Sequence, residues 1–169
     1  MAVTSVSLPS TSGVTVRLDR LTQQRGARRA VVFCYPRNGR PDEPLPPGWD
    51  AIPGARGCTP EACGFRDTFV ELTALDCVVL GMSTQSTAYQ QDHVERNALP
   101  YEILSDAKLE FAHAMRLPTF TVSGMTLLKR LTLVIANGVV EHAFYPVFPP
   151  DRHADQVVQW LAARANDGG

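Results

Sequence analysis

The sequence predicts an α/β fold: a mixed β-sheet covered by helices on both faces. Two patterns and one composition predict it. Short β-branched apolar runs alternate with helical patterns early in the chain, and a hairpin followed by a helix closes it. Of the 169 residues, 44% are hydrophobic and 20% charged, the balance of a chain that buries a core without staples. There is no internal repeat, and the length suits one domain over residues 1–169.

Residues 1–12, rich in Ser, Thr and Pro, read as a loose arm. Val14, Val16 and Leu18 alternate with Thr15 and Arg17, the pattern of a half-buried strand. Residues 25–29 form a short basic turn. Residues 30–35 read as a fully buried strand, stopped by Pro36. Residues 37–57 hold Pro41, Pro44, Pro46, Pro47 and Pro53 with four glycines, a composition that forbids helix and central strand. They predict a long structured loop, either functional or a tolerated surface insertion.

Thr59-Pro60-Glu61 reads as a helix start, with Thr59 as cap and Pro60 in the first turn. Ala62, Phe65, Phe69 and Leu72 carry that helix to about Leu75. Residues 77–82 are a second buried strand, and 86–97 and 107–115 read as helices. Residues 130–135 and 139–145 are strands joined by Asn137-Gly138, a hairpin signal. Residues 155–165 form the last helix, with Val157, Val158, Trp160 and Leu161 inward. Tyr145 to Pro150 is apolar and extended.

Several function classes are disfavoured. The formal net charge is −1, without the basic excess of a nucleic-acid binder. No apolar run approaches a membrane span, and no secretory signal precedes the first strand, so neither nucleic acid nor membrane is expected as a partner. A reducing, cytoplasmic location is the expectation for four cysteines without a disulfide framework. Neither Gly-x-Ser-x-Gly nor Gly-x4-Gly-Lys occurs. His93, His113, His142 and His153 are scattered singly, as surface or packing residues, so no metal is expected. Cys34 and Cys77 lie in apolar strands and read as core.

The informative segment is Gly57-Cys58-Thr59-Pro60-Glu61-Ala62-Cys63. Cys58 sits just before a helix start, where free amide hydrogens and a partial positive charge favour a thiolate. Arg56 adds positive charge and Glu61 opposes it. Five residues along a helix rise about 7.5 Å, which places the Cα atoms of Cys58 and Cys63 roughly 8–9 Å apart. A disulfide needs less than about 7 Å, so joining the two would require the first turns to unwind. Spacing alone leaves two readings open for Cys63: a redox partner, or a small buried core residue.

At this point the chain resembles the peroxiredoxins, of the bacterioferritin-comigratory-protein or plant Q type. The resemblance rests on Tyr35-Pro36 after a buried strand, the block from Gly57 to Asp67, and Val79 to Thr84. Leu104-Ser105-Asp106, Arg130 to Ile135 and Val140 to Phe144 follow in the right order. It implies a thioredoxin-like fold and thiol-dependent reduction of hydrogen peroxide or organic hydroperoxides, with no cofactor. By match, Cys58 is the peroxidatic nucleophile and Cys63 the resolving cysteine, joined by an intramolecular disulfide. Arg130 would lower the Cys58 pKa and steady charge on the departing oxygen. Pro36, Gly57 and Thr59 would flank the substrate. A thioredoxin- or glutaredoxin-like reductant would restore the dithiol. The resemblance is compatible with a monomer or a homodimer.

The chain departs from the family's Pro-x3-Thr-x2-Cys pattern. Pro36 is separated from Cys58 by the 21 residues 37–57, which contain neither Ser nor Thr, and Ala55 stands at the Thr position. The hydroxyl that in the family bonds peroxide and sulfur is therefore missing. The backbone amides of Gly57 and Cys58 remain to hold the oxygens, and the long loop is expected to cap the entrance with Trp49. The competing expectation is a peroxide sensor or redox-binding module with weak peroxidase activity. A metal-binding role for Cys58 and Cys63 is a third.

Overall fold

The computed structural model describes residues 1–40, 43–52 and 54–165. The first residues are tied down rather than loose. β1 (Ser7–Pro9) pairs antiparallel with β2 (Thr15–Arg17), and the cross-strand pair Leu8 and Val16 turns into the core. Val3 is buried and its N–H bonds to the Gly138 carbonyl at 2.8 Å. Val14 precedes the strand and is exposed, so only part of the expected alternation is realised. A short helix that the sequence reading did not foresee, α1 (Leu21–Arg25), precedes the basic turn and ends on Gly26 in the left-handed region.

β3 (Arg29–Cys34) is buried throughout. Ala30, Val32 and Cys34 point into one core; Val31, Phe33 and Tyr35 point into the other. The predicted long helix is two. α2 (Cys58–Asp67) stops at Thr68, whose hydroxyl bonds back to the Gly64 carbonyl at 3.0 Å, and α3 (Phe69–Ala74) follows. β4 (Cys77–Ser83) and α4 (Thr87–Asn97) lie where their patterns predict, with Ser86 as the α4 cap.

Further along the chain, four more elements or boundaries depart from the sequence reading. β5 (Glu102–Ser105) is a short strand without its own periodic signal. α5 (Glu110–Met115) starts three residues late, with Leu109 before it in the left-handed region. β6 (Thr119–Val122) and β7 (Met125–Leu128) form an unforeseen hairpin, turned by Ser123 and Gly124, both at positive φ. β8 (Leu131–Ala136) and β9 (Val139–Phe144) form the expected hairpin through Asn137-Gly138. α6 (His153–Ala165) closes the described chain, burying Val157 and Leu161, with Val158 and Trp160 half-buried beside them.

The main sheet runs β5-β4-β3-β8-β9. β5, β4 and β3 are parallel, β8 runs antiparallel to β3, and β9 runs antiparallel to β8. One face packs on α2, α3 and α6 through Phe65, Leu72 and Val157, the other on α5 and the β1–β2 arm through Phe111, Met115 and Leu8. β3 and β8 are sheet neighbours. Their adjacency carries Arg130, the residue before β8, to the edge from which the 37–57 loop leaves β3.

Candidate active site

α2 starts at Cys58 itself. Gly57 occupies the N-cap at φ +99°, a conformation glycine adopts freely, and a Cβ there would lie 2.8 Å from the Pro150 side chain. The cap expected of Thr59 is therefore not made. Thr59 lies inside the first turn and is exposed. Pro36 is buried at the end of β3.

Glu61 follows Cys58 by three residues, so both side chains share one face of the helix. Between them lies the guanidinium of Arg130. Its Nη1 donates to Glu61 Oε1 at 2.6 Å, and its Nη2 donates to Cys58 Sγ at 3.2 Å. The same Nη2 reaches the carbonyls of Arg56 at 2.9 Å and Gly54 at 3.1 Å. The Ala55 carbonyl lies 3.4 Å from it and accepts the Cys58 thiol at 3.8 Å. Arg130 and Glu61 are almost wholly buried, at 4% and 0% exposure. One cation thus holds the helix start, the buried acid and the last turn of the loop together.

Burial pushes the Cys58 thiol up from its ordinary range. The Arg130 cation pulls it down, as do hydrogen bonds from the Arg37 backbone and from Arg130 itself, while Glu61 adds a further upward push. The net direction is up, against the expectation of a lowered pKa, because a sulfur at 5% exposure loses most of its hydration. Burial also pushes Glu61 up to about 7, with Arg130 opposing. Arg56 gives the sulfur no help: its side chain is exposed and pairs with Asp50 at 3.1 Å.

A cleft of about 500 Å³ opens above Arg130, walled by Pro36, Ile52, Phe120, Tyr145, Val147 and Phe148. Trp49 is not at this entrance. It is buried under the loop with Ala55 and Leu127, packing on the β6–β7 hairpin, and Ile52 and Gly54 present the loop to the cleft instead. Pro41 and Pro53 of the expected loop lie outside the described residues. Ala55, at the position of the family's Thr, is 1% exposed and contributes its backbone only.

Cys63 lies in the same helix, half-buried, and both cysteines are free. Its Sγ is 3.9 Å from Asn97 Oδ1 at the end of α4. Cys34 and Cys77 are buried in β3 and β4. His93 and His153 are buried, His142 stacks on Trp160, and His113 is exposed. Sequence reading missed Glu61 as the partner of Arg130, and Asn97 and His93 beside Cys63. For the last two, the only available signal was their spacing of four on one helix. Among the described residues no three His, Cys, Asp or Glu side chains gather as metal ligands, and no helix is long and apolar enough to cross a membrane.

The sequence model of the Redoxin family matches residues 1–158. The chain is 32% identical over 108 residues to peroxiredoxin bcp1 of Schizosaccharomyces pombe, an alignment covering 64% of this chain and 46% of that one. It therefore spans about half the length of that relative. It is 29% identical over 163 residues to peroxiredoxin Bcp of Escherichia coli strain K12, covering 94% of this chain and 92% of that one. Among solved structures, peroxidoxin BcpB from Mycobacterium tuberculosis superimposes with a TM-score of 0.77 at 28% identity, over 96% of this chain and 95% of that one. The fold is thioredoxin-like, as the sequence resemblance implied.

Proposed function

The chain belongs to the Redoxin family, and from that premise we propose that it is a thiol peroxidase that reduces hydrogen peroxide or organic hydroperoxides at Cys58. The observation that carries this reading is the Arg130 guanidinium 3.2 Å from a sulfur at the first residue of a helix. The Cys58 sulfur attacks one peroxide oxygen, the O–O bond breaks, and the alcohol or water leaves with the thiol's proton. Arg130, with the amides of the helix start, meets the negative charge that develops on the departing oxygen. Pro36 walls the cleft above Arg130, and Gly57 caps the helix start next to Cys58.

The resulting sulfenic acid is resolved by Cys63. Its sulfur bonds to the Cys58 sulfur, the S–O bond breaks, and hydroxide takes the Cys63 proton to leave as water. A thioredoxin- or glutaredoxin-like dithiol then reduces the disulfide. Residues 1–169 act as one domain, with 37–57 an inserted loop whose Ile52 and Gly54 wall the cleft. The apolar walls and their volume suit an organic hydroperoxide as well as hydrogen peroxide.

Stopped-flow oxidation of the reduced protein tests this, comparing hydrogen peroxide with a bulky organic hydroperoxide. The expected rate exceeds that of a free thiol at the same pH by about a hundredfold or more. A rate no faster than the free thiol would overturn the reading and favour a sensor.

A further inference from the structure

The two ends of α2 are held by different chemistry. The Cys58 end is locked by the buried Arg130 cation. The Cys63 end rests on hydrogen bonds to α4 and the segment after it, with no buried ion pair among them. Cys63 Sγ reaches Asn97 Oδ1 at 3.9 Å, Arg66 Nη1 donates to the Asn97 carbonyl at 2.8 Å, and Tyr101 Oη donates to the Ala62 carbonyl at 2.7 Å. Asn97 is the last residue of α4, so a single residue receives two side chains of α2.

The orientation of the Asn97 amide is determined by its surroundings. Its Nδ2 donates to His93 Nδ1 at 2.8 Å and to the His93 carbonyl at 3.2 Å, leaving Oδ1 turned toward the thiol. His93 is fully buried against Tyr35. Burial pushes its pKa down to about 4, so the ring is neutral, with Nδ1 accepting and the proton on Nε2. His93 thus acts on Cys63 only through Asn97.

We propose that Asn97, oriented by His93, is a positioning residue for the resolving step: it keeps the Cys63 thiol docked on α4 and so sets the rate at which α2 unwinds to bring Cys63 to oxidised Cys58. This rests on the reading of Cys63 as the resolving cysteine. The geometry requires unwinding, since both sulfurs belong to one wound helix. A thiol is a weak donor, so this contact holds the residue without trapping it. While Cys63 stays docked, a second peroxide competes for the Cys58 sulfenic acid and drives it to the sulfinic acid. Asn97 therefore also sets the peroxide concentration at which the site over-oxidises.

The experiment is a quenched-flow single turnover of the full chain with hydrogen peroxide, reading sulfenic acid, disulfide and sulfinic acid by mass. In Asn97→Ala the disulfide forms about fivefold faster, the worth of one lost hydrogen bond. The peroxide concentration that over-oxidises half of Cys58 per turnover rises by the same factor. The first oxidation, which does not use Cys63, stays within about twofold. Asn97→Asp keeps an acceptor facing the thiol but loses the donor to His93, so it resolves more slowly than the Ala variant. An unchanged disulfide rate in Asn97→Ala overturns the proposal, as does an Asp variant as fast as the Ala variant. A wild-type protein that forms no Cys58–Cys63 disulfide overturns the underlying reading as well, and it does so before any variant is made.

Discussion

Cys34 and Cys58 are both buried sulfurs, at 1% and 5% exposure, yet their surroundings differ in kind. Cys34 sits mid-sheet on β3. Burial pushes it far up, and the charges that reach it, Glu61 and Asp106, are both acidic and push the same way. Cys58 sits at a helix start, where the Arg130 cation and the Arg37 backbone pull against burial. Cys77 falls between them: burial raises it to about 11 while Arg29 pulls it down. Burial is therefore common to all three strand or helix positions. What sets Cys58 apart from the other two is a cation in contact and a helix start, the surroundings that favour a reactive thiol.

The strongest way to break this contrast is to remove the favoured sulfur. Cys58→Ser is expected to abolish peroxide-dependent turnover in a thioredoxin-coupled assay. Retained turnover would move the chemistry to another cysteine. Next in size is Arg130→Met, which removes the cation and leaves Cys58 with only the helix start and the Arg37 backbone to oppose burial. The first oxidation should slow by about 10²–10³-fold in stopped flow, the cost of one preorganised donor. A loss below about fivefold would mean that the helix amides suffice.

How much of this was legible in sequence follows from the distance over which each signal acts. The helix carrying Cys58 and Cys63, and the Asn137-Gly138 hairpin, are local patterns and were readable directly. Arg130 was singled out through a resemblance; on residue pattern alone it was an exposed strand-end arginine. Its burial depends on β8 lying beside β3, a pairing between segments about a hundred residues apart that no local period encodes. Glu61 was seen as an opposing charge but not as the partner of Arg130, for the same reason. The cap was misassigned because Thr59 satisfies the usual preference, whereas the close approach of Pro150, visible only in three dimensions, calls for Gly57 there. The β6–β7 hairpin escaped because its Ser-Gly turn is a weaker signal than Asn-Gly.

Glu61 sharpens the comparison with a smaller effect, since it lies near both sulfurs and pushes both upward. Its folded pKa of about 7 stands above the ordinary 4.5, so the folded chain binds its proton more tightly than the unfolded chain. That contribution to stability is full below about pH 4.5 and is lost as pH rises through about 7. Glu61→Gln keeps an acceptor for Arg130 but does not titrate. The Tm difference between variant and wild type, followed from pH 4.5 to 8, should move steadily in favour of Gln. His93 and His153, both pushed down to about 4, titrate with the opposite sign in both proteins and cancel in the difference. A difference that is flat with pH would show that Glu61 is ionised throughout.

The smallest effect belongs to the other sulfur. Cys34→Ala removes a buried group from the end of β3, on the same face as Val32, and it leaves every contact of Arg130 in place. Trimming one sulfur from a packed core costs about 1–2 kcal/mol, read as a lower midpoint in urea. The first oxidation by peroxide should stay within about twofold of wild type, because Cys34 has neither a cation nor a helix start to share with Cys58. The alkylation of Cys34 by iodoacetamide gives the complementary reading in the unmodified protein. It should proceed only at the rate of global unfolding, while Cys58 reacts from the folded state. Equal alkylation rates for the two would mean that burial alone governs both sulfurs and that the Arg130 contact has no bearing on reactivity.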